Sequence, residues 1–249
     1  MQNILIVLPA YNEEESIVDL LININYIANI YHLPLSVLIV NDGSNDQTVE
    51  LARAVKLTIA LHIIDNQINE GLGKVLREGL AYASNNLNDS DIVITMGSDN
   101  SHLPGLIPAM VNQINKGSDI VIASIYRQGS RVYGLSYFRK MTSFIAGSLF
   151  LIFAPIKGVR DYTCGYRAYR AKILKNGFSL FREKFIEESG FSCMVEILLK
   201  LNSMKPIIHE VPMILRYDQK KGNSKMKIWP TIKKTLLVLS SYRLSRRFK

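Results

Sequence analysis

Short apolar runs alternating with helical repeats leave this chain little choice of fold. Ile4–Leu8, Leu35–Val40, Leu61–Ile64, Asp91–Met96 and Asp119–Ala123 read as strands. Behind the first, Ile17, Leu20, Leu21, Ile24, Ala28 and Tyr31 recur at helical spacing after a Glu-rich turn that suits a helix N-terminus. Val49, Ala52 and Val55 follow the second strand, Gly71–Ala83 the third and Leu106–Ile114 the fourth. Repeated strand–helix units predict an α/β fold, with a doubly wound, mostly parallel sheet covered on both faces. At 249 residues and 48% hydrophobic content the chain can fill the core of one such domain.

The second half is less regular. Ser143–Ile156 is strongly apolar, but Pro155 interrupts it well short of the ~20 residues a membrane-spanning helix needs, so a buried or interfacial helix is expected. Ser189–Leu201 reads as a core helix and Ile207–Leu215 as one or two strands. From Ile228 to Arg247 a helical pattern returns, with Ile232, Leu236 and Leu239 on one side and Lys233, Lys234, Arg243, Arg246 and Arg247 elsewhere. The expected division is a catalytic domain over 1–227 and a basic amphipathic helix over 228–249.

Charge is segregated in the same way. Of a net +9, residues 216–249 contribute eleven Lys or Arg against one acid, Asp218, so the body is close to neutral. A basic segment with an apolar stripe attracts an anionic membrane surface. It carries Trp229 and Tyr242 but no nucleic-acid motif, and no nucleic-acid partner is expected. Cys164 and Cys193 form no C-x-x-C pair, and the start M-Q-N-I-L-I-V-L-P-A reads as a strand rather than a leader. A cytoplasmic protein attached peripherally to the membrane is the expectation.

Three polar clusters end three of the strands: P-A-Y-N-E-E, N-D-G-S-N-D and M-G-S-D-N-S-H. Parallel strands place their carboxyl ends on one edge, so these clusters should meet in one crevice. Tyr11 offers a face to a base, Glu13 and Asp42 can accept from ribose or base donors, and Asp99 can ligate a cation that neutralises a diphosphate. Such metal turns often carry two aspartates two residues apart. Here the first position is Gly97.

In that order and spacing, P-A-Y-N-E-E, V-N-D-G-S-N-D-Q-T, N-E-G-L-G-K and M-G-S-D-N-S-H resemble the inverting family-two glycosyltransferases of GT-A fold. D-Y-T-C-G-Y-R-A-Y-R and G-N-S-K-M-K narrow the resemblance to the dolichyl-phosphate mannosyltransferase group. It implies transfer of a sugar from a nucleotide sugar, with GDP-mannose favoured, to a polyprenyl phosphate, using Mg²⁺ or Mn²⁺. It places Pro9, Tyr11, Glu13 and Asp42 on the nucleotide, with Gly71, Lys74 and Ser98 in donor-contacting segments. Asp99 binds the metal, and Ser101 is a second metal-facing group. Arg127 and Arg139 meet the donor or acceptor phosphates, and Arg216 and Lys225 form a late basic pair over the diphosphate.

A phosphate acceptor is already ionised at neutral pH, so catalysis is mainly the holding of two anions in line. The rival is a family-two enzyme acting on a hydroxyl, which needs a base, with Asp161 as the candidate. A nucleotide-sugar-binding protein with a degenerate metal turn is the non-enzymatic alternative. Asp42 could instead cap a helix, a task open to Ser44 or Asp46. Asp161 could brace its own loop through Arg167, and Gly71 and Gly73 could only shape a turn. His102 and Cys164 are read as structural.

Overall fold

The five apolar runs form β1 (Ile4–Ala10), β2 (Leu35–Asp42), β3 (Ala60–Asn66), β4 (Ile92–Thr95) and β5 (Ile120–Ser124). The structure, a computed structural model, describes residues 2–135, 150–220 and 234–240. Helices α1 (Ile17–Ile30), α2 (Thr48–Ala54), α3 (Leu72–Asn86) and α4 (Ile107–Asn115) follow the first four strands. The period-two alternation of β1 divides the interior, because successive side chains point to opposite faces. Leu5 and Val7 join a cluster with Val75, Leu76 and Leu80 of α3. Ile4, Ile6 and Leu8 join Leu20, Leu21 and Ile24 of α1 with Met110 and Ile114 of α4.

Later elements complete a seven-stranded sheet in the order β3-β2-β1-β4-β7-β5-β8. Here β7 is Arg167–Arg170 and β8 is Ile208–Pro212. Pairing is parallel except at β7, which runs antiparallel to both β4 and β5. A second ribbon pairs β6 (Arg131–Tyr133) with β9 (Ile214–Arg216) in parallel. Helix α5 (Ala171–Phe181) follows β7, and α6 (Cys193–Asn202) realises the helix expected from Ser189. It starts later because Ser189 uses its carbonyl on the backbone N–H of Gly73, 2.9 Å away.

Strand β7 is the main addition to the sequence reading. R-A-Y-R has no apolar run, yet Arg167 is fully buried. Its Nη1 donates to Met194 O and its Nη2 to Tyr162 O, both at 2.7 Å, so carbonyls rather than an acid meet the buried guanidinium.

Residues 150–153 are helical, with Phe150 buried against Tyr162 at 4.9 Å between ring centroids, and Leu151, Ile152 and Phe153 turned outward. Residues 234–240 are also helical, but the expected stripe splits: Leu239 is in the core while Leu236 is 44% exposed. Ile232 and the remainder of 228–249 lie outside the described residues. No helix among the described residues is long and apolar enough to cross a membrane.

Candidate active site

Strands β2, β1 and β4 are adjacent, so their carboxyl ends stand side by side, and hydrogen bonds stitch the three polar turns into one surface. Asn12 N–H donates to Ser44 Oγ (2.9 Å), Asn45 N–H to Asn12 Oδ1 (2.8 Å) and Glu13 N–H to Thr48 Oγ1 (2.7 Å), joining the first turn to the second. Ser98 Oγ donates to Pro9 O (2.7 Å) and Ser16 Oγ to Ser98 O (2.9 Å), joining the first to the third. Pro9 and Ser98 thus meet through backbone and hydroxyl. Glu13 turns a carboxylate oxygen to Ser16 Oγ, 3.0 Å away, and Tyr11 is half-buried beside it in the chain.

Asp42 ends β2 and is buried. It does not cap α2: Asp46 Oδ1 takes the Thr48 N–H at 3.0 Å. Asp42 instead accepts the backbone N–H groups of Glu70 (2.8 Å) and Gly71 (3.1 Å), anchoring the entry to α3. Burial raises its pKa above the usual carboxylate value, and those two N–H groups pull the other way. Across this entry the chain at Glu188 and Ser189 comes very close. A Cβ on Gly71 would lie 2.5 Å from Ser189 O, and one on Gly73 would lie 1.7 Å from Glu188 O. The glycines permit backbone contact, and Gly71 at φ +95° also needs the left-handed region. Lys74, in the first turn of α3, lies between Glu70, just before the helix, and Glu78 within it.

The third turn is organised around Asp99. Its Oδ1 accepts from Ser101 N–H (3.2 Å) and Ser101 Oγ (2.5 Å), and its Oδ2 accepts from Lys220 Nζ at 2.6 Å. Burial alone would raise its pKa, but the Lys220 ammonium, with His102 and the Ser101 hydroxyl, outweighs that and the carboxyl is held at about 2. Lys220 is the residue that sequence reasoning missed. It lies in the same basic run as Arg216 and Lys225, and nothing in that run's spacing distinguishes it. His102 is half-buried, and its desolvation lowers its pKa; its Nδ1 accepts the Gly97 N–H at 3.0 Å and its ring stacks on Tyr166. A Cβ at Gly97 would fit at ordinary contact distance, 3.4 Å from Asp99 Oδ1.

The ionised carboxylate and the Ser101 hydroxyl are hard oxygen donors of the kind that suit a divalent cation. Lys220 already shows that a positive charge is attracted to this place. No cluster of three or more His, Cys, Asp or Glu that could hold a metal occurs among the described residues. A divalent cation held here would need oxygens beyond Asp99 and Ser101, which phosphate and water can supply.

Strand β9 closes one side of the turn: Arg216 N–H donates to Ser101 O at 3.0 Å, and Leu215 bridges His102. The Arg216 side chain turns to Asp218 (2.9 Å) and lies over Tyr133, 5.5 Å from the ring centroid. Arg127 lies against Glu210, and its Nη2 donates to Gly158 O. Asp161 is buried, and burial raises its pKa; it accepts N–H groups from Ile125, Thr163 and Cys164. It braces its loop through backbone rather than through Arg167. Cys164 is free, and burial pushes its thiol up. Arg139 and Lys225 lie outside the described residues.

Comparison with known proteins bears on the family and the fold. A family model described as "Glycosyl transferase family 2" matches residues 5–178. The dolichol-phosphate mannosyltransferase of Pyrococcus furiosus is 29% identical over 89% of this chain, which spans 58% of that protein's length. The undecaprenyl-phosphate mannosyltransferase of Micrococcus luteus is 30% identical over 90% of this chain and 87% of its own. Among solved structures, glucosyl-3-phosphoglycerate synthase from Mycobacterium tuberculosis, in complex with Mn²⁺, UDP-glucose and phosphoglyceric acid, superposes with a TM-score of 0.70. At 20% identity over 97% of this chain and 79% of that one, it shows a shared fold.

Proposed function

We propose that this chain, which belongs to glycosyl transferase family 2, moves a sugar with inversion from a nucleotide sugar to a polyprenyl phosphate. The observation that carries the reading is the ionised Asp99 at the end of β4, locked to turns that follow β1 and β2. That is a place for a nucleotide diphosphate. Pro9, Tyr11, Glu13 and Asp42 form the nucleotide side. Asp42 acts by fixing the Glu70–Gly71 backbone, which leaves the shape of that wall independent of side-chain rotation. Asp99 and Ser101 would hold Mg²⁺ or Mn²⁺, which neutralises the departing diphosphate. Mannose from GDP-mannose is the first donor to test, because two of the similar proteins are named mannosyltransferases.

A phosphate acceptor suits the site because it asks for no strong base. Asp161, the candidate base for a hydroxyl acceptor, has its oxygens taken up by backbone N–H groups in a buried position. Arg139, Arg216 and Lys225 remain the basic groups assigned to the phosphates, while Arg127 is engaged with Glu210 and Gly158. The outward Leu151, Ile152 and Phe153, with Leu236, Leu237 and the basic tail, would rest on the cytoplasmic face of an anionic membrane where a lipid acceptor is found.

The test is turnover with undecaprenyl or dolichyl phosphate, Mn²⁺ and a panel of nucleotide sugars, with the lipid product identified by mass. Nucleotide binding without turnover of any donor would overturn the enzymatic reading. Removal of residues 228–249 should sharply reduce sedimentation with anionic liposomes; unchanged sedimentation would overturn the membrane assignment.

A further inference from the structure

The cation resting on Asp99 belongs to the protein itself. Lys220 Nζ is 2.6 Å from Asp99 Oδ2, and the two side chains are only 13% and 16% exposed. The reach of Lys220 is set from behind. Strand β9 is tied to Ser101 through the Arg216 N–H, and the turn Tyr217–Gln219 that follows is tied to Arg216 through Asp218. Lys220 leaves this turn with its ammonium also 5.7 Å from the Tyr217 ring centroid. The anchoring holds the backbone beside the site while the four-carbon stem of the lysine stays able to swing.

An ammonium and a divalent cation cannot share this carboxylate comfortably. At a few ångströms of separation in a largely desolvated turn, their repulsion is several kcal/mol at an effective dielectric near 20. The second oxygen offers no way out, because Oδ1 is held by the Ser101 N–H and hydroxyl. Gly97 adds no carboxylate to take a displaced charge. Loading of the site is therefore an exchange of cations. A displaced lysine needs a new anion within reach of its stem, and the diphosphate that arrives with the metal is one.

We propose that Lys220 is a donor-binding residue that rests on Asp99 in the free protein and transfers to the donor diphosphate when the nucleotide and its divalent cation enter together. This rests on the donor-site reading above. Two consequences follow from the exchange. Metal alone binds weakly, since it must expel the ammonium with nothing to receive it. Metal and nucleoside diphosphate each strengthen the other's binding, and the coupling is reciprocal.

The experiment is calorimetric titration of the full chain, without acceptor or turnover, using MnCl₂ alone, then GDP or UDP at saturating Mn²⁺. Lys220→Met should bind Mn²⁺ alone about tenfold more tightly than the parent, and the nucleoside diphosphate about tenfold more weakly, within the usual range of coupling between sites. Lys220→Arg, which keeps a cation on Asp99, should stay near the parent in both titrations. Lys220→Gln serves as the second neutral variant should the methionine protein fail to fold. Mn²⁺ affinity that is unchanged or lower in the neutral variants overturns the exchange. Asp99→Asn separates the two levels of the argument: if it leaves Mn²⁺ binding intact, the donor-site reading falls too. If it abolishes binding while the neutral variants match the parent, only the exchange falls.

Discussion

Arg127 Nε lies 2.8 Å from Glu210 Oε2, and the Glu210 side chain is wholly buried, so the arginine is the counter-charge of an interior carboxylate. The two are paired by proximity rather than by an aligned hydrogen bond. Glu210 Oε1 meanwhile takes the N–H groups of Arg160 and Asp161 at 2.6 and 2.7 Å. Removing the arginine leaves that charge buried and uncompensated. Arg127→Ala should cost about 3–5 kcal/mol in urea unfolding. Adding Glu210→Gln should recover part of it, because the buried charge is then gone. A loss under about 1 kcal/mol in the single variant would show that Arg127 is not bound to this structural task.

Asp99 and Gly97 make a contrasting pair of substitutions. Asp99→Asn removes the ionised ligand and should lower metal-dependent sugar transfer by about 100-fold or more, in the range seen when one transition-state charge stabiliser is lost. Gly97→Asp should fold and stay active, since a Cβ at that position meets Asp99 Oδ1 and His102 Nδ1 only at 3.4 and 3.5 Å. Steady-state rates with the best donor decide both outcomes. An active Asp99→Asn protein would mean that the metal site has been misplaced.

Gly73→Ala should destabilise the protein. The added methyl would sit 1.7 Å from the Glu188 carbonyl, and backbone on both sides must separate to admit it. Overpacking of this kind costs about 3 kcal/mol or more. For a chain of this length that lowers the melting temperature by roughly 6 °C or more. A melting temperature within a degree of the parent would show that the entry to α3 and the 188–189 segment are not in contact.

The ion pair at Asp99 has a pH signature of definite sign. Burial raises its pKa, but Lys220, with His102 and the Ser101 hydroxyl, overrides burial and brings it from an ordinary 3.8 to about 2. A carboxyl depressed on folding contributes its stabilisation in full above the ordinary value. It loses that contribution as pH falls from about 4 to about 2, a change of about 2 kcal/mol. In Lys220→Met the Ser101 hydrogen bonds and His102 still oppose burial, but the largest lowering influence is gone, so the carboxyl is depressed less and acid weakens this site less. Urea midpoints taken from pH 5 to 2.5 should therefore fall more steeply for the parent. Parallel slopes would refute the pairing.

What was legible in the sequence is what local chemistry encodes. The apolar runs of β1, β2 and β4 and the acids that end them are written residue by residue, and parallel pairing does the rest. The ion pairs of Lys74 were also legible, since Glu70 and Glu78 stand four residues to either side of it, the spacing of helical ion pairs. For Arg167 the signal was absent. Its burial depends on carbonyls of Tyr162 and Met194, which no local pattern connects to it. Lys220 is a third kind of case. Basic groups were expected near the diphosphate, but only the path of β9 past Ser101 selects this lysine from its neighbours.

The reversed direction of β7 has a consequence for how such an enzyme can change. Strand β5 ends at the crevice, and β7, running the other way, begins there, with Arg167 level with Thr95 of β4 and Ile122 of β5. Residues 125–166 thus leave and rejoin the sheet on the same edge. Arg127, Arg139, the apolar stretch around 150–153 and Asp161 all ride on this one excursion. Both ends of this excursion are fixed at the crevice, and through β6 on β9 and Phe150 in the core it is tied to the body between them, so a change on the acceptor side is felt at the Asp99 turn as well.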